Sequence, residues 1–166
     1  MTTDADAQAS ADGRIDTGAD RTVVTNDMVC RLDAVKQTLG RIETQLPGGA
    51  VLVGFEFPVT VRVQHKTAHL RAFAPLFFTT TEKNKKTGEI TINTTPASQS
   101  GNLIGEDFMR AAGGKLDYTK PGREFSGAVG LGALQFVKAS PQHEELADWY
   151  MRRLCRRKPK KKARRR

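Results

Sequence analysis

The chain has 166 residues, of which 38% are hydrophobic and 27% charged, and its formal net charge at pH 7 is +9. This length and composition support one modest hydrophobic core, so two domains are not expected. No apolar run approaches the length of a membrane-spanning helix, and the first residues lack the apolar region of a secretory signal. We therefore predict a protein of a virion or the cytoplasm, with the nucleus as a further compartment, that no signal peptide exports and that has no membrane span.

The beginning of the chain is acidic and poor in large apolar side chains. Its first twenty residues contain five Asp against Arg14, and Ile15 is the single large aliphatic residue among the first 22. Such a segment cannot bury enough surface to offset the entropy lost on ordering. We expect residues 1–24 to be a disordered, solvated extension; folding back onto the basic C-terminus is the alternative. Residues 25–157 are expected to form one domain.

A helix is predicted next, capped by Asn26 and ending near residue 46, where Pro47 and two glycines follow. Its apolar residues recur at alternating steps of four and three, which is a heptad stripe. The stripe consists of Met28, Leu32, Val35, Leu39, Ile42 and Leu46. It either packs on this chain's own sheet, which we favour because the stripe is short, or forms the interface of a homo-oligomer.

Alternating apolar residues predict strands over residues 50–64, 70–81 and 90–95. The first is either one strand bent at Pro58 or two short strands. Between the last two lies a polar connection that carries Lys83, Lys85 and Lys86, so we predict a β-hairpin with a basic tip. These lysines either contact phosphates or protect an edge strand from pairing.

The remaining elements are a short helix capped by Asn102, an extended segment over residues 125–137, and a C-terminal helix over residues 141–157. Ser140 suits the N-cap of that last helix and Pro141 its first position. The expected fold class is α+β, with a mostly antiparallel sheet of about five strands packed by an N-terminal and a C-terminal helix.

The end of the chain carries the excess charge. From residue 152 onward there are eleven basic residues and no acid, so the other 151 residues sum to −2. The basic residues are Arg152, Arg153, Arg156, Arg157, Lys158, Lys160, Lys161, Lys162, Arg164, Arg165 and Arg166. Pro159 ends the helix, and residues 158–166 are expected to be a disordered basic tail. A neutral body with one basic tail is typical of proteins that bind polyanions.

These features predict a non-enzymatic structural nucleic-acid-binding protein with a self-associating body. Its tail neutralises phosphates without sequence readout, with RNA favoured over DNA as the partner, in a viral coat, nucleocapsid or ribonucleoprotein packaging role. The alternative is a nuclear interaction or regulatory protein, because residues 159–165, Pro-Lys-Lys-Lys-Ala-Arg-Arg, look like a signal read by a nuclear import receptor.

Residues that commonly carry catalysis or bind metals form no recognisable motif. Cys30 and Cys155 are far apart in sequence and predict neither a zinc site nor a disulfide. His65 and His69 have the spacing of metal ligands on a helix but fall between strands. We therefore expect no metal, no cofactor and no enzymatic activity.

Overall fold

A computed structural model describes residues 1–2, 8–10, 12–15, 19–97, 101–113 and 135–156. The described part of the chain contains both helices and strands, in mixed order. The helices are α1 (Asn26–Arg31), α2 (Glu106–Ala112) and α3 (Pro141–Leu154), with a 3₁₀ turn at Ala34–Gln37. The strands are β1 (Gly13–Ile15), β2 (Gly40–Gln45), β3 (Val51–Val63), β4 (Lys66–Lys83), β5 (Ile90–Pro96), β6 (Asn102–Ile104) and β7 (Phe136–Lys138).

Five of these strands form one antiparallel sheet in the order β5-β4-β3-β2-β7. The predicted α+β fold with a mostly antiparallel sheet of about five strands is thereby confirmed. Each neighbouring pair from β2 to β5 is also consecutive in sequence, which is the simplest antiparallel connection. Only β7 joins the sheet from a distant part of the chain.

The long hairpin of β3 and β4 forms the centre of the sheet. β3 is one continuous strand through Pro58, and it pairs with β4 from Val51 to Val63. Alternate side chains of β3 point to opposite faces. Phe55, Phe57 and Val61 are fully or almost fully buried on one face, and they form the core with α1 and α3.

The register between β3 and β4 shifts at Val53 and Gly54, where Leu76 is an extra residue in β4. At this bulge the strands approach very closely. A Cβ built on Gly54 would lie 2.2 Å from the carbonyl oxygen of Ala74 and 2.7 Å from Cε2 of Phe73. The bulge therefore requires a residue without a side chain at position 54.

The described parts of residues 1–24 contact the folded body, in contrast to the expected disorder. Residues 13–15 form β1, which pairs in parallel with β6. Thr22 and Val24 are fully buried, because this segment pairs with Phe73 of β4 on one side and with Leu103 of β6 on the other. These backbone hydrogen bonds cover Phe73, which lies outside the stretch of β4 that pairs with β5.

The predicted helix over residues 26–46 is wrong beyond its first turns. Thr25, not Asn26, caps α1, and its Oγ1 accepts a hydrogen bond from the Met28 N–H at 3.3 Å. The α-helix ends before Asp33, whose φ of 52° is left-handed. Residues 40–45 are strand β2, because pairing with β3 satisfies their backbone groups and outweighs the local helical spacing.

Two further predictions need correction or fall outside the described residues. Asn102 does not cap a helix: it lies in β6, and its side chain accepts from the Thr25 N–H at 2.9 Å. α2 begins after Gly105 and ends at Gly113, whose φ is +63°. Of the extended segment predicted over residues 125–137, residues 125–134 lie outside the described part, and Phe136 begins β7.

We predict that Gly54→Ala strongly destabilises the fold, because the added methyl group would overlap the Ala74 carbonyl and the Phe73 ring. The expected loss is about 1–3 kcal/mol in the free energy of unfolding, measured by urea denaturation. Gly40→Ala is the matched control, since a Cβ at Gly40 meets no atom within 4 Å. Equal stability of the two variants would contradict the close approach at the bulge.

Candidate nucleic-acid interface

The helix that leads to the basic tail begins where the sequence predicts. Ser140 is the N-cap of α3, its Oγ accepts from the His143 N–H at 3.4 Å, and Pro141 is the first helical residue. Pro141 has no N–H to leave unpaired in the first turn. α3 ends at Leu154, three residues earlier than predicted.

One side of α3 packs on the core face of the sheet. Ala147 and Met151 are buried there, and the Tyr150 ring stacks on the Phe77 ring with centroids 4.8 Å apart. Phe77 belongs to β4 and is itself fully buried. The helix is therefore attached to the centre of the sheet by aromatic and aliphatic contacts.

Charged groups fix the first half of α3 to β2. The Arg41 guanidinium donates to Oδ1 of Asp148 through Nε at 2.8 Å and Nη2 at 2.5 Å, and Glu144 lies 3.7 Å away. A second pair joins His143 Nδ1 to the Glu43 carboxylate, and both side chains are largely buried. Arg41 and Glu43, two residues on the same face of β2, thus hold successive turns of α3.

A disulfide between Cys30 and Cys155 fixes the other end of α3, with Cα atoms 5.4 Å apart. The sequence pattern did not imply this disulfide. The two cysteines are 125 residues apart in sequence, and no local pattern links them. The bond joins the end of α1 to the end of α3, so Cys155 and Arg156, the last described residues, lie beside the end of α1.

Three of the predicted phosphate-binding residues lie in or just after the last turn of α3. Arg152, Arg153 and Arg156 are exposed, and none of them forms an ion pair within the described part of the chain. The Arg153 guanidinium lies 3.9 Å from the centroid of the Trp149 ring and donates to the Trp149 carbonyl. The other eight, Arg157, Lys158, Lys160, Lys161, Lys162, Arg164, Arg165 and Arg166, lie outside the described residues.

The second predicted group of basic residues lies at the tip of the β4–β5 hairpin. Lys83 ends β4, and Lys85 and Lys86 are in the turn that follows. Asn84 shapes this turn, since its Oδ1 accepts from the Lys86 N–H at 2.9 Å. All three lysines are exposed, and no hydrogen bond or ion pair between described residues joins them to α3.

The predicted heptad stripe is not a single surface. Met28 in α1 and Leu32 at its C-cap are buried, and so is Ile42 in β2. Leu39, which lies between those elements, is 48% exposed. Val35 and Leu46 are half-buried in a 3₁₀ turn and after a strand. The residues packed in the core are unavailable to a second subunit unless the fold opens.

A charged cluster on the opposite face of the sheet was missed from the sequence. Arg21 Nη2 donates to Glu56 at 3.0 Å, and its guanidinium carbon lies 5.0 Å from the Phe136 ring centroid. Phe136 in turn packs edge-on against Phe73, with ring centroids 4.8 Å apart. Four segments distant in sequence contribute one residue each, so no local motif could have revealed the cluster.

The described residues form neither a metal site nor a membrane-spanning helix. They contain no group of three or more His, Cys, Asp or Glu side chains placed to hold a metal ion. None of their helices is long and apolar enough to cross a membrane. Comparison with protein-family models, curated proteins and solved structures finds no match to this chain.

We predict that replacing both cysteines, Cys30→Ala with Cys155→Ala, lowers the free energy of unfolding by about 2–4 kcal/mol, because the bond closes a very long loop. Urea denaturation without reductant measures the difference. The control is the same titration with reductant, which should lower the stability of the natural chain to that of the variant and leave the variant unchanged. A natural chain insensitive to reductant would contradict a stabilising disulfide.

Proposed function

We propose that this protein is a non-enzymatic structural nucleic-acid-binding protein. Its folded body self-associates, and its basic C-terminal arm, defined as residues 152–166, neutralises phosphates without reading base sequence. The proposed role is packaging, of the kind that viral coat or nucleocapsid proteins and ribonucleoprotein components perform, with RNA favoured over DNA. No catalytic step is assigned to any residue.

The observation that supports this proposal is the firm attachment of α3, the helix from which the arm continues, to the body. α3 is held by Arg41 and Glu43 at one end and by the Cys30–Cys155 disulfide at the other. All of the chain's excess positive charge follows Cys155, since residues 156–166 carry +9 of the total +9 and residues 1–155 sum to 0. A dense cationic segment on a rigid attachment binds polyanions by releasing their counterions, which needs no shaped pocket.

The alternative function, a nuclear regulatory protein addressed by its tail, rests on the sequence of residues 159–165. The disulfide favours packaging over this alternative. Structural disulfides persist in oxidising surroundings and on virion surfaces, and they are rare in the reducing cytosol and nucleus. A protein that works after release from a reducing compartment suits Cys30–Cys155 better than one that works inside the nucleus.

The distribution of basic residues predicts which charges matter for affinity. Replacing Lys160, Lys161 and Lys162 with Gln should flatten the dependence of log affinity on log salt, by about 0.7 per lost contact on single-stranded RNA and about 0.9 on duplex DNA. Affinity should fall by a similar factor for RNAs of different sequence, because phosphate contacts carry no base information. Fluorescence anisotropy across a salt series measures both.

The matched control removes three charges from the hairpin instead, with Lys83, Lys85 and Lys86 all replaced by Gln. We expect a smaller loss of affinity and slope than in the arm variant. If the hairpin variant loses more, the hairpin is the main binding surface and the proposed role of the arm is wrong. If neither variant nor the natural chain binds RNA or DNA, the import-signal function replaces the packaging function.

A further inference from the structure

The β4–β5 hairpin extends beyond the rest of the sheet. Val51, the first residue of β3, pairs with Thr79, so within the described part of the chain residues 80–83 of β4 pair with β5 alone. Every residue from 80 to 96 is exposed. A two-stranded ribbon exposed on both faces is marginally stable alone, and a further strand is the usual source of stability.

Along the outer edge of β5, the backbone groups form no ladder with any other described strand. The Asn84 N–H donates to the Glu89 carbonyl at 2.8 Å, and the Ala97 N–H donates to the Leu76 carbonyl at 3.0 Å. These two bonds show which residues of β5 are hydrogen-bonded to β4 and which alternate residues are not. Odd-numbered residues of β5 point their backbone groups toward β4, so the N–H groups of Ile90, Ile92 and Thr94 point outward. Among described residues no strand pairs with this edge.

The composition of β5 is unusual for an unprotected edge. Residues 90–97, Ile-Thr-Ile-Asn-Thr-Thr-Pro-Ala, include no charged residue, although the whole chain carries +9. Ile90 is 62% exposed and Ile92 is 51% exposed. Both lie on the same face of the sheet as Phe77, which stacks on Tyr150 of α3. Natural edge strands normally carry lysine, proline or a bulge to prevent pairing. Here the lysines lie in β4 and the turn, and the one proline is the last residue of β5, so residues 90–95 carry neither.

We propose that the outer edge of β5 pairs with β5 of a second copy of this chain, antiparallel and around a two-fold axis at Ile92. In that register Ile92 faces Ile92 of the second copy, and Ile90 faces its Thr94. The outward N–H of each of these residues then meets a carbonyl, because all three have the same parity. Two five-stranded sheets become one continuous antiparallel sheet.

A second copy suits this edge better than an unrelated strand for two reasons. An isologous contact requires a surface that complements itself, and an uncharged strand brings no like charges together when it pairs with its own copy. A two-fold axis at Ile92 pairs residues 90–94 of β5 on both copies, and Pro96, which lacks an N–H, lies beyond this overlap at the base of the hairpin. The paired isoleucines also cover apolar surface on the α3 face of each sheet.

This inference gives the self-association in the proposed function a location, and it rests on that function for its purpose. It also replaces the predicted interface: Met28, Leu32 and Ile42 lie in the core, whereas Ile90 and Ile92 are exposed. Backbone pairing and apolar contact depend little on salt, unlike phosphate binding by the arm. The two activities can therefore be measured separately.

The test is light scattering on the full chain, freed of nucleic acid and held at high salt. The natural chain should have twice its 18.3 kDa mass. Ile92→Lys should raise the dimer Kd about 100-fold or more, since it places two cations opposite each other and removes two apolar contacts. Thr91→Lys is the matched control: it adds the same charge one residue away, on the other face and off the axis, and should leave the dimer intact.

A crosslinking experiment makes the register falsifiable as well. The described cysteines are both in the disulfide, so a new thiol reacts without competition from them. Ile92→Cys should form a covalent dimer on mild oxidation, because opposed residues of a hydrogen-bonded pair have Cα atoms about 5.5 Å apart. Asn93→Cys, whose copies are offset diagonally on the other face, should not.

Outcomes for the two proposals differ. A monomeric natural chain, or an Ile92→Lys variant that stays dimeric, overturns the β5 interface whatever the affinity for RNA. Loss of RNA binding by a chain that still dimerises through Ile92 overturns the proposed function and leaves the interface standing. An Ile92→Lys monomer that keeps the salt-dependent binding of the arm supports both assignments.

Discussion

The covalent link between Cys30 and Cys155 is the constraint on which the rest of the account depends. It joins the end of α1 to the end of α3, 125 residues later, and so fixes the position of Cys155, from which the rest of the basic arm continues. The Arg41–Asp148 and Glu43–His143 pairs hold the other end of the same helix on β2. Because α3 is fixed at both ends, a polyanion that binds the arm does not pull this helix off the sheet.

The elements that the sequence revealed are those with a complete local signal. Ser140 and Pro141 located the start of α3, and residue alternation located β3 and β5, because capping and pleat act within a few residues. The heptad spacing of residues 28–46 predicted one long helix, but the same apolar residues also fit a short helix followed by a strand. Pairing with β3 decided between the two, and no local pattern contains that information.

The candidate sites divide in the same way. The charge of the arm is visible in the sequence, because charge needs no fold to be recognised. The disulfide, the Arg21–Glu56 pair and the free edge of β5 all depend on which distant segments meet. The isoleucines of β5 show this most clearly: alternation identified the strand, yet only the fold shows that Ile90 and Ile92 lie on the part of the hairpin beyond Val51, the first residue of β3, and are exposed there.

The most direct test of the central claim compares the nucleic-acid affinity of the full chain with that of a chain ending at Arg156, across a salt series. This truncation keeps Cys155 and therefore the disulfide, and it removes eight of the eleven basic residues of the arm. The account predicts a steep salt dependence for the full chain and loss of most affinity and slope on truncation, for single-stranded RNA and duplex DNA of several sequences. Unchanged affinity after truncation would contradict it, because the folded body would then be the binding surface.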